Sequence, residues 1–302
     1  MDDTTLRREL IPTVEQLLDR HLSMAKEWFP HQMVPWSRGE DFAPDEVWDP
    51  DRAPSDVARR ALCVNLLTED NLPHYFRTLS SMSDGDAWAT WARRWTAEEG
   101  RHAIVIRDYL SVTRAVDLVA LERARMNQVA SGLVPEPPDT ANLIVYVALQ
   151  ELATRIAHRN TGKHLDDQAG RDIMSRVAAD ENLHHLFYRD LVTAALALDP
   201  SAIVDAIERQ VREFEMPGSG IPDFSTHARV LAGAGIYDFA IHHDQILVPL
   251  IFSHWAIPEV TGLSPSAEGA RDRLFAYVER LARVARRVTA RRHHRVAAVT
   301  GS

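Results

Sequence analysis

The chain has 302 residues, 45% of them hydrophobic, with 13 Gly and no Gly/Ser-rich or low-complexity stretch. This excludes a disordered or fibrous protein and points to one large, mostly helical domain spanning residues 1–302. The net charge of −9 is unevenly placed: from Arg271 onward nine Arg oppose only Asp272 and Glu279, so a basic helical C-terminal portion follows an acidic body. A basic helix on an acidic body invites an acidic partner, although a solvated helix face also accounts for the charge. Nucleic acid is not expected, because no binding motif or interleaved aromatic residues accompany the arginines. The single cysteine, Cys63, lies in the apolar run Ala61-Leu-Cys-Val64 and reads as a core thiol in a reducing compartment. Met1-Asp-Asp-Thr-Thr is acidic and polar rather than a signal peptide, and no apolar run approaches membrane-spanning length. A cytoplasmic protein without membrane insertion is expected.

In chain order, Ser55 is an N-cap candidate for a helix over 55–82, with Val57, Ala61, Val64, Leu67 and Leu72 at helical spacing. Glu69 lies inside that segment, and Pro73 should bend it one turn later. Asp84-Gly85-Asp86 separates it from a helix bearing Trp88, Trp91, Trp95, Glu99 and His102 on one stripe. A third helix starts near Asp139, after Pro135-Glu-Pro-Pro138, and carries Leu143, Val147, Gln150, Glu151 and Thr154. A fourth, from about Asp166, carries Ile173, Val177, Asp180, Glu181 and His184. A break at Met216-Pro-Gly-Ser-Gly-Ile-Pro222 precedes two or three further helical segments.

Two copies of one pattern run through these helices. Glu69 precedes Glu99-Gly-Arg-His102 by 30 positions, and Glu151 precedes Glu181-Asn-Leu-His184 by the same 30. Positions i and i+3 share a helix face, so each Glu and its His can reach one point. The duplicated set Glu69, Glu99, His102, Glu151, Glu181 and His184 is the ligand set of a carboxylate-bridged di-iron or di-manganese centre in a four-helix bundle. Two divalent ions balance four carboxylates, and hard oxygen donors with one imidazole per ion suit iron, ferrous when reduced, or manganese better than structural zinc. Each Glu-x-x-His follows an acid, Glu98 or Asp180. A metal-bound imidazole normally donates its other N–H to a carboxylate, so Asp180 is expected on His102 and Glu98 on His184, crossed by the internal twofold. His185 points about 100° away from His184 and is not counted as a ligand.

At these residues the chain resembles the soluble acyl-acyl-carrier-protein desaturases, the plant stearoyl type and their actinobacterial relatives. Thr68-Glu-Asp-Asn-Leu-Pro73 resembles the family's Thr-Glu-Glu-x-Leu-Pro, and Trp95-Thr-Ala-Glu-Glu-Gly-Arg-His102 its Trp-Thr-Ala-Glu-Glu-x-Arg-His. Gln150-Glu-Leu-Ala-Thr154 resembles Gln-Glu-Arg-Ala-Thr, and Ala179-Asp-Glu-Asn-Leu-His184 resembles Ala-Asp-Glu-x-x-His. The likeness runs from Trp36, in Trp-x-x-x-Glu-Asp-Phe, to Met216-Pro217. Leu152 replaces the motif's Arg, and Asn182-Leu183 replaces a charged pair; both bear on carrier docking or dimer contacts.

The resemblance implies a ferritin-like all-α bundle, elaborated by additional helices, whose six ligands hold two irons. A ferredoxin-type donor would reduce the irons, and the protein would remove two hydrogens from an acyl chain on acyl carrier protein, using O₂, in fatty acid biosynthesis. It further implies a homodimer, a role for Thr154 in proton delivery, and an electron route through Trp36 and Asp180 toward His102. Leu72, Phe76, Leu79, Leu143 and Val147 are candidates to line an acyl slot. The alternatives are a di-iron hydroxylase or N-oxygenase acting on a carrier-bound substrate, and a non-catalytic ferritin-like iron protein. A ribonucleotide reductase radical subunit fits less well, since Ile106 stands where that family places a Tyr.

Overall fold

The computed structural model describes residues 1–43, 46–81, 85–218 and 220–300, and among them the secondary structure is helical throughout, with no strand. Aspartate starts most of the long helices. α1 (Asp3–Met24) is capped by Asp2, whose side chain accepts from the Thr5 amide. It lays Leu6, Leu10, Val14 and Leu17 into the main core. A short turn, α2 (Pro30–Met33), precedes α3 (Asp56–Glu69), which is capped by Ser55 as the sequence predicts.

The single helix expected over 55–82 is two. α3 ends at Glu69, Asp70-Asn71 makes a turn, and α4 (Leu72–Ser80) restarts with Pro73 in its first turn. Proline there needs no amide donor, so it opens a new helix instead of kinking an old one. α5 (Ala87–Thr113) follows, capped by Asp86; Asp84 of the predicted break lies outside the described residues. α6 (Leu118–Ser131) crosses back, and α7 (Thr140–Gly162) and α8 (Gln168–Leu198) form the longest antiparallel pair, capped by Asp139 and Asp167.

Four helices, α3, α5, α7 and α8, surround the polar centre, and α1 packs on α8 and α5. α7 is buried almost all round, with Leu143, Ile144, Val147, Ala148 and Leu149 among its buried residues. At the entry to α8, Gly170 lets α5 come close: a Cβ there would sit 2.7 Å from the Tyr109 hydroxyl oxygen.

The C-terminal third wraps this bundle. α9 (Pro200–Glu213) packs on α7, and the Met216–Pro222 break, of which Ser219 lies outside the described residues, runs against Thr68. α10 (Phe224–Ala234) covers α3. α11 (Phe239–His242) continues into a wider-wound stretch around Pro249, which lacks the amide that regular winding would use. α12 (Pro265–Thr300) buries Leu274, Val278 and Leu281 while leaving Arg280, Arg283, Arg286 and Arg287 exposed. No described helix is long and apolar enough to cross a membrane.

Candidate metal centre

All six carboxylates and imidazoles singled out by their spacing lie together in the bundle interior, and each is buried. Glu69 comes from the last turn of α3, Glu99 and His102 from α5, Glu151 from α7, and Glu181 and His184 from α8. They form two overlapping groups. His102 Nδ1 is 3.2 Å from Glu99 Oε2, 3.5 Å from Glu69 Oε2 and 3.5 Å from Glu181 Oε1. His184 Nδ1 is 2.7 Å from Glu99 Oε1, 3.7 Å from Glu151 Oε2 and 3.8 Å from Glu181 Oε2. Glu99 and Glu181 therefore each offer one oxygen to either half, the placement of bridging carboxylates, while Glu69 and Glu151 belong to one half each. Within each group the donor atoms lie within 4.8 Å of one another, close enough to share an ion.

The donor set fits a pair of divalent cations on a further observation. Nδ1 of both His102 and His184, Glu99 Oε1, Glu151 Oε2 and Glu181 Oε2 are buried without a hydrogen-bond partner. Such atoms are costly unless something positive satisfies them. Left to the side chains alone, the cluster must share protons. Burial and the neighbouring Glu181 carboxylate hold Glu151 well above the ordinary carboxylate range, and the same two causes raise Glu99. Burial would lower both imidazoles, but carboxylates outweigh it and raise them well above normal: first Glu99 and Asp180 for His102, first Glu151 and Glu181 for His184. Two divalent ions would replace those protons with fixed charge.

The other ring nitrogens face outward to carboxylates in the crossed arrangement. His102 Nε2 lies 3.5 Å from Asp180 Oδ2, and His184 Nε2 lies 3.0 Å from Glu98 Oε2. Glu98 is also 2.8 Å from His21 Nε2 and pairs with Arg94. Trp28 Nε1 donates to Asp180 Oδ2 at 2.7 Å, Arg101 donates to the same oxygen at 3.0 Å, and Arg176 pairs with Oδ1.

The expected tryptophan is corrected here. Trp36 does not approach Asp180: it is 50% exposed, and its indole donates to the His31 carbonyl at 2.7 Å. Trp28 takes the place, its ring stacked over His102 with centroids 6.4 Å apart and an interplanar angle of 13°, and with Arg101 4.8 Å above its face. The extended chain after α1 turns Trp28 inward and leaves Trp36 on a short exposed turn, a choice that the sequence motif does not encode.

Three further residues reach the centre: His158 and His21, which the sequence did not single out, and Trp95, which it placed on the ligand stripe without a role. His158 Nε2 lies 2.8 Å from Glu69 Oε1 and 3.6 Å from Glu181 Oε1. It stands seven residues after Glu151, two turns along the same face, and that spacing was the available signal. Trp95, one turn before Glu99, donates its indole N–H to Glu151 Oε1 at 2.9 Å. His21 comes from α1, a helix without a motif, and carried no signal. Thr154 is buried near the centre, but its hydroxyl donates back along α7 to the Gln150 and Glu151 carbonyls, each at 3.1 Å.

Two cavities flank Glu69. One, of about 50 Å³, runs past Glu99, Glu181 and Trp95 between Leu79, Leu143 and Val147. Leu72 and Phe76, also candidates for such a slot, are not among its lining residues. The other, of about 70 Å³, lies on the far side of Thr68 and Glu69 beneath α10, with Thr154 and His158 at its inner end.

A family model described as fatty acid desaturase matches residues 2–300. DesA1 of Mycobacterium tuberculosis, a protein named as an acyl-acyl-carrier-protein desaturase, is 42% identical over 293 residues, covering 93% of this chain and 86% of that one. The chloroplastic acyl-acyl-carrier-protein desaturase 6 of Oryza sativa subsp. japonica is 30% identical over 319 residues, covering 95% of this chain and 75% of the relative. The crystal structure of DesA2 from M. tuberculosis H37Rv, a protein named as an acyl-ACP desaturase, superposes with a TM-score of 0.72 at 29% identity, over 88% of this chain and 99% of the other. With the match running along the chain from end to end on an all-helical, ferritin-like fold, the protein belongs to the fatty acid desaturase family, among its acyl-acyl-carrier-protein desaturases.

Proposed function

We propose that the protein removes two hydrogens from neighbouring methylenes of an acyl chain held on acyl carrier protein, using O₂ and two electrons. The observation that carries this reading is the narrow cavity that brings Leu79, Leu143 and Val147 up to Glu99 and Glu181. An apolar chain lying there would pass directly beside the metal ligands. Two irons, with manganese as the alternative ion, held by Glu69, Glu99, His102, Glu151, Glu181 and His184, would supply from O₂ an oxidant that side-chain acid–base chemistry cannot provide. The overall balance consumes O₂, two electrons and two protons, and releases two waters with the alkene.

The chain's own residues position and insulate. Glu98 and Asp180 orient the two imidazoles, Trp95 fixes Glu151, and His158 fixes Glu69. Thr154 is the candidate to pass a proton, its buried hydroxyl lying one turn along α7 from Glu151 and bonded to the Glu151 carbonyl. Electrons from a ferredoxin-type donor would arrive through Trp28 and Asp180 toward His102, a route supported by the continuous indole–carboxylate–imidazole contact and by the two flanking arginines. The exposed arginines of α12 suit an acidic carrier protein. Phe29, Trp36, Phe42 and Ile104, apolar yet exposed, support a homodimer. A cytoplasmic setting agrees with Cys63, whose thiol burial pushes up to about 11. The working unit in this reading is one desaturase domain over 1–302.

Aerobic incubation with ferredoxin, its reductase and a panel of acyl carrier proteins, read by mass spectrometry, tests the proposal. Loss of two hydrogens is expected. Gain of an oxygen atom would make the protein an oxygenase, and uptake of many irons per chain without substrate turnover would make it a storage protein.

A further inference from the structure

We propose that the cavity beneath α10 is an access chamber for a small apolar gas, dioxygen, separate from the slot that takes the acyl chain. The inference rests on the desaturase reading, which supplies the need for O₂ at Glu69.

The two cavities have only Thr68 and Glu69 in common. The Met216–Gly218 segment helps divide them: Pro217 faces the acyl slot, while Met216 and Gly218 face the chamber. A Cβ on Gly218 would lie 2.9 Å from Thr68 Oγ1, so the partition closes tightly only around glycine. The roof is one face of α10, where Phe224, Ala228 and Leu231 recur at helical spacing, and the floor is Val64 of α3 with Ala157 of α7. Met216, Phe224, Ala228 and Tyr237 at the outer side are partly exposed, whereas Glu69, Thr154 and His158 at the inner end are buried. The chamber thus leads from near the surface to a ligand carboxylate along walls that are mostly carbon.

Water is a poor occupant, because it needs two to four polar partners and, among the buried side-chain atoms of the described lining, only His158 Nδ1 lacks one. Asn65 Nδ2 donates to Thr161, the Thr154 hydroxyl donates to its own helix, His158 Nε2 faces Glu69, and the Tyr237 hydroxyl shares a 2.8 Å hydrogen bond with His242. Apolar cavities of this kind stay dry and take up xenon, and roughly 10–15 Å³ is enough for one water-sized guest. At about 70 Å³ the chamber has room for a diatomic molecule. Separate doors would let O₂ reach the centre while the acyl chain fills its own slot.

The test is a crystal of the metal-loaded protein pressurised with xenon, together with steady-state kinetics of Ala228→Phe, which fills the roof. Xenon is expected between Ala157, Phe224, Ala228 and Leu231 in the wild type and absent from the variant. In Ala228→Phe the KM for O₂ should rise severalfold, with the KM for acyl carrier protein substrate and the product unchanged. Ordered water or the end of an acyl chain in the chamber would overturn the proposal, as would an unchanged O₂ dependence or a shift in chain-length preference. If Ala228→Phe does not fold, the wild-type xenon map still decides. A wild type that forms no alkene refutes the activity, whereas a wild type that forms alkene but leaves the chamber free of xenon refutes only the chamber.

Discussion

Replacing Glu98 by Gln should weaken one ion of the pair and spare the other. Glu98 Oε2 stands between His184 Nε2 at 3.0 Å and His21 Nε2 at 2.8 Å, while its other oxygen faces Arg94, so the carboxylate serves three cationic or N–H partners at once. Gln keeps the shape but removes the charge, and it must turn its NH₂ toward either Arg94 or the His184 ring nitrogen, which is itself a donor once Nδ1 holds an ion. Loss of such an outer partner costs roughly 10- to 100-fold in metal affinity, about 1.4–2.8 kcal/mol. That loss belongs to the half containing His184. Asp180→Asn is the mirror experiment on the half containing His102, and its effect should be smaller, because Asp180 stands 3.5 Å from that ring and is shared with Trp28 and two arginines. Anaerobic titration with Fe²⁺ or Co²⁺, followed by calorimetry and absorbance, resolves the two binding steps. If Glu98→Gln weakened both steps equally, or neither, the crossed pairing of acids and imidazoles would be wrong.

Further expectations follow from other contacts. Trp95→Phe removes the N–H donor to Glu151 Oε1 and should destabilise the ion-free protein by about 1–3 kcal/mol in urea melts; an unchanged midpoint would mean that the indole bond carries no stability. Val147→Phe should narrow the acyl slot and abolish turnover of long chains while metal uptake stays intact, as read across a chain-length panel. Gly170→Ala should cost about 1–3 kcal/mol through the clash with Tyr109, measured as a shift in the denaturation midpoint. His242, lowered to about 4 by burial and then by His243, stays neutral in the fold while the unfolded chain protonates near 6.5. The contribution of His242 to stability should therefore be constant above that pH and fall as pH drops below it, by about 1.4 kcal/mol at pH 5.5 and about 3 kcal/mol near pH 4. His242→Gln should flatten that dependence, and an identical slope in the variant would assign it elsewhere.

The centre was legible because metal ligation leaves a fixed code: residue type, i and i+3 spacing, and a repeat at constant separation. Helix starts were legible for the same local reason, as Ser55 and Asp139 cap within their own first turns. What sequence did not yield depends on distant packing. His21 and Trp28 reach the centre from the N-terminal segment only because α1 lies across α5 and α8, and nothing in their neighbours marks them. Trp36 sat in a more recognisable motif and points elsewhere. The turn at Asp70-Asn71 was misread because a helical hydrophobic period continues across it, and only tertiary contacts show that the chain changes direction there.

That turn has a consequence for a duplicated architecture. The ligand set repeats faithfully, yet its halves are not equivalent in what they admit. Glu151 sits in an unbroken rod, fully enclosed and roofed by an indole, and it borders neither cavity. Its counterpart Glu69 ends a rod, and both hollows open beside it. Interrupting one of two sister helices leaves the candidate ion cage open on the Glu69 side and closed on the Glu151 side.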